Sequence, residues 1–245
     1  MILDIDAGNT RIKWRVLDGS RVVAHGDQLT ELIRQGVPLE VGAVQRLDRI
    51  RLSCVAGEDI VNNLQSQFSD QFDVQLELAE VTESAASVVC GYRDYAQLGI
   101  DRWLAVVAAY AKNSDAVIVV DAGSAVTVDI VSAEAVHQGG YIVPGLQLMH
   151  KALWQGTDRI KVGAKQSADM NSPGLSTDEA LDKGCLLLLI AMIESLVSKY
   201  KARLVVTGGD GELLQNALCV EAELYPDLVL EGLALEGIGM KVVGE

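Results

Sequence analysis

The sequence predicts an α/β fold built from two related halves, and three observations support this prediction. A strand, a tight turn and a second strand open the chain at residues 2–16, and the same arrangement recurs at residues 117–130. Strand-like and helix-like segments alternate after each of these hairpins, which is typical of helices packed on a mixed sheet. Asp-Ala-Gly stands at both turns, and a small hydroxyl residue follows each copy, Thr10 in the first and Ser124 in the second.

The first hairpin follows from the spacing of its apolar residues. Residues 2–5 form a short apolar strand that ends on Asp6, and residues 7–10 form the small-residue turn. Apolar and basic residues then alternate over residues 11–16, the period of two that a half-buried strand requires. We expect a third, antiparallel strand at residues 21–24.

The rest of the first half alternates between helix and strand. We predict a helix at 27–35 that is ended by Gly36, followed by a strand at 49–56 and a helix at 58–68. A strand at 72–78 and a loop without assigned structure at 80–98 come next. A helix is expected to begin near Arg102, because Trp103, Val106, Val107 and Tyr110 would share one apolar face. A polar loop that leads into a helix start is a common place for ligands.

The second half repeats this plan after its own hairpin. We expect a glycine-rich stretch at 138–145, a helix at 146–154 and a polar irregular stretch at 157–173. A long helix at 176–200, a strand at 203–206, a helix at 212–218 and two closing segments at 228–230 and 233–239 follow. The strand at 203–206 ends in Thr-Gly-Gly-Asp at residues 207–210. We therefore divide the chain into an N-terminal subdomain, 1–115, and a C-terminal subdomain, 116–245.

Composition excludes several classes of partner. The net charge of −14 argues against nucleic-acid backbones and anionic membranes as main partners. The longest strongly apolar run, Cys185 to Ile193, is 9 residues long, well short of the ~20 needed to span a bilayer. The four cysteines form no Cys-x-x-Cys pair, so we expect reduced core residues. Together these features predict a cytoplasmic protein.

The two hairpins have the chemistry of a metal–nucleotide site. A carboxylate at the end of a strand suits Mg²⁺, which prefers oxygen ligands, and glycine lets backbone N–H groups approach phosphate oxygens. A single Asp-Ala-Gly turn is better explained as a plain structural turn. Two corresponding copies, together with Gly208 and Gly209 after a later strand, favour nucleotide binding. Neither a Walker loop nor a Gly-x-Gly-x-x-Gly fingerprint occurs in the sequence.

This combination resembles the two phosphate motifs and the adenosine motif of the acetate and sugar kinase/Hsc70/actin superfamily. Within it the chain is similar to the type III pantothenate kinases. The matching stretches are residues 6–10, 91–92, 98–103, 121–123, 139–142, 144–145, 176–177 and 207–210. The resemblance implies a duplicated actin-like (ribonuclease H-like) ATPase fold, with two subdomains and a cleft between them that holds ATP. The Gly-x-Asp-Arg element at 99–102 is its most specific part.

The resemblance also implies an activity, cofactors and partners. The activity is ATP-dependent phosphorylation of pantothenate to 4'-phosphopantothenate, the first step of coenzyme A biosynthesis. A homodimer would use Mg²⁺ and a monovalent cation, K⁺ or NH₄⁺. One departure from the family is Ser124, where threonine is usual, although the hydroxyl is kept. Many family members also lack a lysine at the position of Lys13.

Residue by residue, the resemblance assigns the following roles. The expected metal ligands are Asp6 for Mg²⁺ and Asp121 for the monovalent cation. The expected ATP-binding residues are Asp6, Ala7, Gly8, Asn9, Thr10, Arg11, Ile12, Lys13, Ser124, Gly208 and Gly209. The expected pantothenate-binding residues are Tyr92, Gly99, Ile100, Asp101, Arg102 and Thr177, the last reaching the pantothenate bound to the partner subunit. Asp101 would be the general base.

General chemistry supports the role of Asp101, while plainer interpretations stay open for several residues. Phosphoryl transfer rests on positioning and charge neutralisation, with a carboxylate accepting the substrate hydroxyl's proton. Arg102 beside it suits a bidentate pair with a substrate carboxylate. Asp101 also fits an N-cap for a helix starting at Arg102, and residues 176–179 fit a capping box. Asp210 is equally a turn residue or a ligand.

Two other functions deserve comparison with the kinase. A non-catalytic nucleotide-binding relative, acting as a regulatory or transcription accessory protein, would keep the hairpins and lose the base. Asp6, Asp101 and Arg102 are all present, which favours the kinase. A sugar or acetate kinase would usually be longer. The apolar run 185–193 fits either the core or a dimer interface.

Overall fold

The computed structural model describes residues 1–42, 44–72, 74–155 and 172–244. Contacts group the chain into two compact units: Met1–Ala111 together with Leu228–Glu245, and Lys112–Asp227. The division at residue 115 into two related halves stays a prediction, and the units differ from it mainly because the last segment packs within the first unit. Most of the polar stretch predicted at 157–173 lies outside the described residues.

The helices and strands alternate along the chain as follows. The strands are β1 (Ile2–Ala7), β2 (Arg11–Asp18), β3 (Arg21–Leu29), β4 (Arg49–Cys54), β5 (Leu76–Glu80), β6 (Ser84–Ala85), β7 (Val88–Val89), β8 (Val117–Ala122), β9 (Ala125–Val131), β10 (His137–Pro144), β11 (Arg203–Thr207), β12 (Glu223–Leu224) and β13 (Gly239–Val242). The α-helices are α1 (Thr30–Arg34), α2 (Glu58–Phe72), α3 (Ile100–Asn113), α4 (Leu146–Gln155), α5 (Thr177–Tyr200), α6 (Gly211–Ala217) and α7 (Leu228–Leu233).

The first unit is organised around a mixed sheet in the order β13-β5-β4-β1-β2-β3. The first hairpin pairs β1 antiparallel with β2, and β4 joins β1 in parallel. One face of α2 buries Ile60, Leu64 and Phe68 in the same core as the apolar residues of the strands. This core fixes the end of β1, where Asp6 lies.

The sheet of the second unit has the order β10-β9-β8-β11-β12. Replacing β8 by β1, β9 by β2, β10 by β3, β11 by β4 and β12 by β5 gives the order found in the first unit. In both units the hairpin is antiparallel and the fourth strand runs parallel to the first. The predicted duplication is therefore confirmed in the strand topology, and each sheet has its own apolar core.

Several predicted boundaries were wrong, each for a local reason. The third strand continues to Leu29 because it pairs with β2 along its whole length, so α1 begins only at Thr30. Phe72 belongs to α2 rather than to a strand, and its ring stacks on Phe68 with 6.1 Å between centroids. The helix expected near Arg102 begins two residues earlier, at Ile100.

The structure also tests the expectations about buried cysteines and membrane-spanning helices. All four cysteines are free, but only Cys185 is buried, while Cys54 and Cys90 are half-buried and Cys219 is exposed. The prediction of core cysteines was therefore right for one of them. None of the helices in the described part of the chain combines the length and apolar composition needed to cross a bilayer.

Candidate active site

Asp6 lies at the carboxyl end of β1, between two polar residues on neighbouring strands. In the sheet register it stands opposite Lys13 of β2 and Ser53 of β4. The fully buried Ser53 donates a hydrogen bond from its Oγ to Asp6 Oδ1 at 3.1 Å. The carboxylate is half-buried at the strand end, so it remains partly accessible while Ser53 helps to hold it.

A second group of polar side chains lies two residues further along these strands, away from the carboxyl end of β1, on the same face of the sheet. Asp4 is fully buried and accepts hydrogen bonds from Arg15 Nε at 3.0 Å and Arg51 Nε at 2.6 Å. Arg15 also donates to the carbonyl of Leu230 in α7 at 2.6 Å. Removing one partner of such a buried ion pair leaves the other charge buried and uncompensated, which is strongly destabilising. Sequence reasoning missed this network, although charged residues inside apolar strands were a usable signal.

The turn between β1 and β2 exposes only part of the predicted phosphate loop. Asn9 and Thr10 are exposed, whereas the side chains of Ala7 and Ile12 are fully buried in the core. Arg11 forms an ion pair with Asp27 on the neighbouring strand. Any contact of Ala7 or Ile12 with a ligand is therefore restricted to backbone atoms, which is narrower than the sequence-based expectation.

The Gly-Ile-Asp-Arg element opens α3. The N–H of Trp103 donates to the carbonyl of Gly99 at 3.0 Å and closes the first turn. Asp101 is therefore the second residue of the helix, and the alternative in which it caps a helix starting at Arg102 was wrong. Its half-buried carboxylate accepts from the N–H of Arg102 at 2.8 Å. Ile100 is buried at the start of this turn.

Arg102 and Tyr92 form one unit. Arg102 is only 7% exposed, although an isolated arginine usually reaches solvent. Its Nη1 donates to the Tyr92 hydroxyl at 2.8 Å, and its Cζ lies 5.6 Å from the centroid of the Tyr92 ring. A guanidinium that is oriented in this way is prepared to bind an anionic group without first losing side-chain freedom.

A pocket of about 740 Å³ lies beside the first turn of α3. Gly99 and Ile100 line it, together with residues at the end of β4, residues 80–83 and residues 95–98. This size is in the range of pockets that bind small molecules. The pocket is built by the first unit alone.

The hairpin of the second unit repeats the first with a shorter turn. Gly123 N–H donates to the carbonyl of Ala125 at 3.0 Å, as Gly8 N–H does to that of Arg11 at 3.1 Å. The second turn is one residue shorter, because only Ser124 separates Gly123 from Ala125, whereas Asn9 and Thr10 separate Gly8 from Arg11. Ser124 is exposed, and Asp121 is half-buried at the end of β8.

Two further loops approach this hairpin so closely that they require glycine. A Cβ on Gly145 would lie 2.2 Å from the carbonyl oxygen of Gly123. A Cβ on Gly208, which has a φ of 91°, would lie 2.4 Å from both the Ala122 carbonyl oxygen and Asp121 Oδ1. The hairpin, the start of α4 and the turn after β11 therefore meet around Asp121.

Asp210 follows these glycines and serves the turn through its backbone. Its N–H donates to the carbonyl of Ala122 at 2.9 Å, while its side chain makes no capping bond to α6. Burial raises the pKa of the Asp210 carboxyl, and the charge of His150 opposes this shift. A ligand role for its side chain stays a prediction.

Thr177 begins α5, next to a capping residue. The Ser176 hydroxyl accepts from the N–H of Glu179 at 3.2 Å, and the Glu179 carboxylate accepts from the N–H of Leu175 at 2.8 Å. Ser176 is thus confirmed as the capping residue of α5. The Glu179 carboxylate, however, accepts from the N–H of Leu175, whereas a capping box would require the N–H of Ser176. Thr177 itself is exposed at the helix start.

Comparison with known proteins decides the family. Residues 2–199 match the family model described as type III pantothenate kinase. A type III pantothenate kinase from Pseudomonas aeruginosa is 39% identical over 96% of this chain and 98% of its own length. The chain belongs to the type III pantothenate kinase family. The family match covers both hairpins and the Gly-Ile-Asp-Arg element.

Solved structures support the predicted fold of this family member. A protein from Campylobacter jejuni assigned to a Baf family of transcriptional activators superposes with a TM-score of 0.61 and 24% identity, covering 94% of each chain. A protein from Sinorhizobium meliloti assigned as a 2-dehydro-3-deoxygalactonokinase gives 0.57 and 14%, covering 96% and 95%. These likenesses concern the fold alone, and they confirm the predicted actin-like ATPase class. The regulatory alternative is not favoured, because the sequence relatives are kinases.

Proposed function

We propose that this chain transfers the γ-phosphoryl group of ATP to the 4'-hydroxyl of pantothenate, with Asp101 as general base. As a member of the type III pantothenate kinase family, it is an ATP-dependent enzyme of coenzyme A biosynthesis. The observation that carries the assignment of the base is the first turn of α3. Asp101, the buried Arg102 and Tyr92 are joined there by hydrogen bonds.

In the proposed reaction the pantothenate hydroxyl oxygen attacks the γ-phosphorus of ATP and ADP leaves. The hydroxyl proton passes to the carboxylate of Asp101 as the new O–P bond forms. Arg102, oriented by Tyr92, binds the pantothenate carboxylate. Gly99 and Ile100, which line the adjacent pocket, contact the rest of the substrate.

The first hairpin is proposed to bind Mg²⁺ and phosphate. Asp6 supplies one accessible carboxylate, and no group of three or more His, Cys, Asp or Glu side chains is placed to hold a metal within the described ranges. A site with few protein ligands fits Mg²⁺, which keeps several waters and binds substrate phosphates. When bound, Mg²⁺ neutralises phosphate charge. Asn9, Thr10 and Lys13 are the candidate phosphate contacts.

The second hairpin is proposed to bind the monovalent cation and ATP. Asp121 and the carbonyl oxygens of the tight glycine loops provide the oxygen donors that K⁺ or NH₄⁺ would need. Ser124, Gly208 and Gly209 are the proposed ATP contacts. Gly208 and Gly209 carry no side chain, so their backbone can lie close to a base.

We further propose that the enzyme is a homodimer in the cytoplasm, without nucleic-acid or membrane partners. Large apolar side chains are exposed on one helix of the second unit, where Leu187 is 55% and Leu188 67% exposed. Exposed apolar residues close together commonly mark a protein interface. Thr177 at the start of the same helix is proposed to reach the partner's pantothenate.

Product analysis tests the proposed reaction. The purified protein is incubated with Mg·ATP, KCl and pantothenate, and the products are identified by mass spectrometry. We expect phosphopantothenate and an equal amount of ADP, and no phosphorylated product from glucose or acetate. Phosphorylation of a sugar or acetate in place of pantothenate would assign the chain to another kinase class of this fold.

A further inference from the structure

One residue outside the candidate site is bonded to both ends of the first phosphate loop. Thr30, the first residue of α1, is fully buried. Its Oγ1 donates to the carbonyl of Gly8 at 2.7 Å, and its N–H donates to the carbonyl of Thr10 at 3.1 Å. Two carbonyl groups of the Gly8–Thr10 turn are therefore held by one residue.

The bond to Gly8 determines where the next amide points. In a planar trans peptide the C=O and the N–H of the following residue point in opposite directions. Because the Gly8 carbonyl points at the buried Thr30, the N–H of Asn9 points away from the core. Asn9 itself is exposed. This is the orientation in which a loop amide can donate to a phosphate oxygen.

We propose that Thr30 is a positioning residue for phosphate binding: its hydroxyl fixes the Gly8–Asn9 peptide so that the Asn9 N–H donates to a phosphate group of ATP. This inference rests on the proposed function, which makes the turn a phosphate loop. Thr30 itself does not touch the nucleotide. Its effect is exerted through the orientation of one peptide group.

The hydroxyl of Ser53 also bonds to this hairpin, but it cannot take over the hydrogen bond that the Thr30 hydroxyl donates to the Gly8 carbonyl. Ser53 holds the side chain of Asp6, whereas Thr30 holds the backbone beyond it. Loss of the Thr30 hydroxyl leaves the Gly8 carbonyl without this donor and lets the peptide rotate. The expected consequence is weaker binding of ATP without any change in pantothenate binding.

The test compares Thr30→Val with Thr30→Ser in the full-length protein. Valine has nearly the same size but lacks the hydroxyl, and serine keeps it. We expect Thr30→Val to raise KM for ATP by about three- to tenfold, the equivalent of one lost hydrogen bond, with KM for pantothenate within about twofold. Thr30→Ser should stay close to the wild type in both constants.

A merely structural role would have a different outcome. Thr30→Val would then lower the melting temperature while both KM values, measured well below that temperature, stayed at wild-type levels. That result would overturn the proposal. An inactive wild-type protein would instead refute the proposed function, so the two failures are distinguishable.

Hydrogen exchange provides a second measurement that needs no variant. The wild-type protein is compared with and without Mg·ATP, and exchange of the Asn9 amide is followed. We expect ATP to slow exchange at Asn9, because the amide becomes a hydrogen-bond donor to phosphate. Unchanged exchange at Asn9 under saturating ATP would overturn the proposal even if Thr30→Val failed to fold.

Discussion

The carboxylate of Asp101 occupies the space that a side chain at position 99 would need. An ideal Cβ on Gly99 would lie 2.6 Å from Asp101 Oδ1, well inside van der Waals contact. The Gly-x-Asp spacing at the start of α3 therefore has a steric cause in this chain. Because Gly99 has no side chain, the Asp101 carboxylate can lie beside the Gly99 backbone. In that position the carboxylate also accepts a hydrogen bond from the Arg102 N–H.

Gly99→Ala tests this relationship. Asp101 is the flexible partner in the clash, so its side chain is expected to rotate while the fold is retained. We expect kcat to fall by about 10- to 100-fold, since a misplaced catalytic group loses most of its contribution. The free energy of unfolding should change by about 1 kcal/mol or less. Steady-state kinetics and thermal unfolding are the two measurements.

A double variant provides the control for Gly99→Ala. If Gly99 acts only through Asp101, adding Gly99→Ala to Asp101→Asn should not reduce kcat further. Additive losses of kcat in the double variant would show that Gly99 affects turnover independently of Asp101, beyond its proposed contact with substrate.

Gly208 and Gly209 form a matched pair for the second unit. Gly208 combines a positive φ with two close approaches, whereas a Cβ on Gly209 would meet nothing within 4 Å. We expect Gly208→Ala to lower the free energy of unfolding by about 2–4 kcal/mol and Gly209→Ala to change it by about 0.5 kcal/mol or less. Urea unfolding measures both. Equal effects would contradict the tight packing around Asp121.

The proposed dimer interface is tested by polar substitution on α5. Leu187→Ser combined with Leu188→Ser should reduce the particle mass from twice the chain mass to the chain mass, measured by light scattering. Val22→Ser with Val23→Ser, a pair about 45% exposed on β3, serves as the control and should leave the dimer intact. A dimer that survives the leucine substitutions would place the interface elsewhere.

The monovalent cation is tested by exchanging salts. With Mg·ATP and pantothenate present, activity should require K⁺ or NH₄⁺ and be low when Na⁺ is the only monovalent cation. Asp121→Asn should weaken the dependence on K⁺ by removing the carboxylate charge. Full activity of the wild type in Na⁺ would contradict the assignment of Asp121.

The sequence predicted the repeated parts of the fold well, because they depend on local patterns. Alternation of apolar and basic residues located β2, and the two Asp-Ala-Gly turns located both hairpins. Pairing between strands was harder to predict. β3 continues to Leu29 only because β2 lies beside it, and Phe72 stays helical because its ring stacks on Phe68.

Contacts between residues distant in sequence explain what was missed in the candidate site. Thr30 lies 20 residues after Thr10 and carries no motif, so its bonds to the turn could not be read from spacing. The buried Asp4 network joins three strands and α7. The sequence could single out Asp6, Asp101 and Arg102 because each belongs to a short motif, and their roles stay predictions.

The most direct test of the proposed base is ADP release by the wild type beside Asp101→Asn. Both proteins are assayed with Mg·ATP and K⁺, with and without pantothenate. We predict pantothenate-dependent ADP release by the wild type and a loss of about 10²- to 10⁴-fold in the variant, whose amide cannot accept the proton. Circular dichroism should confirm that the variant is folded. Near-wild-type turnover by Asp101→Asn would contradict the account.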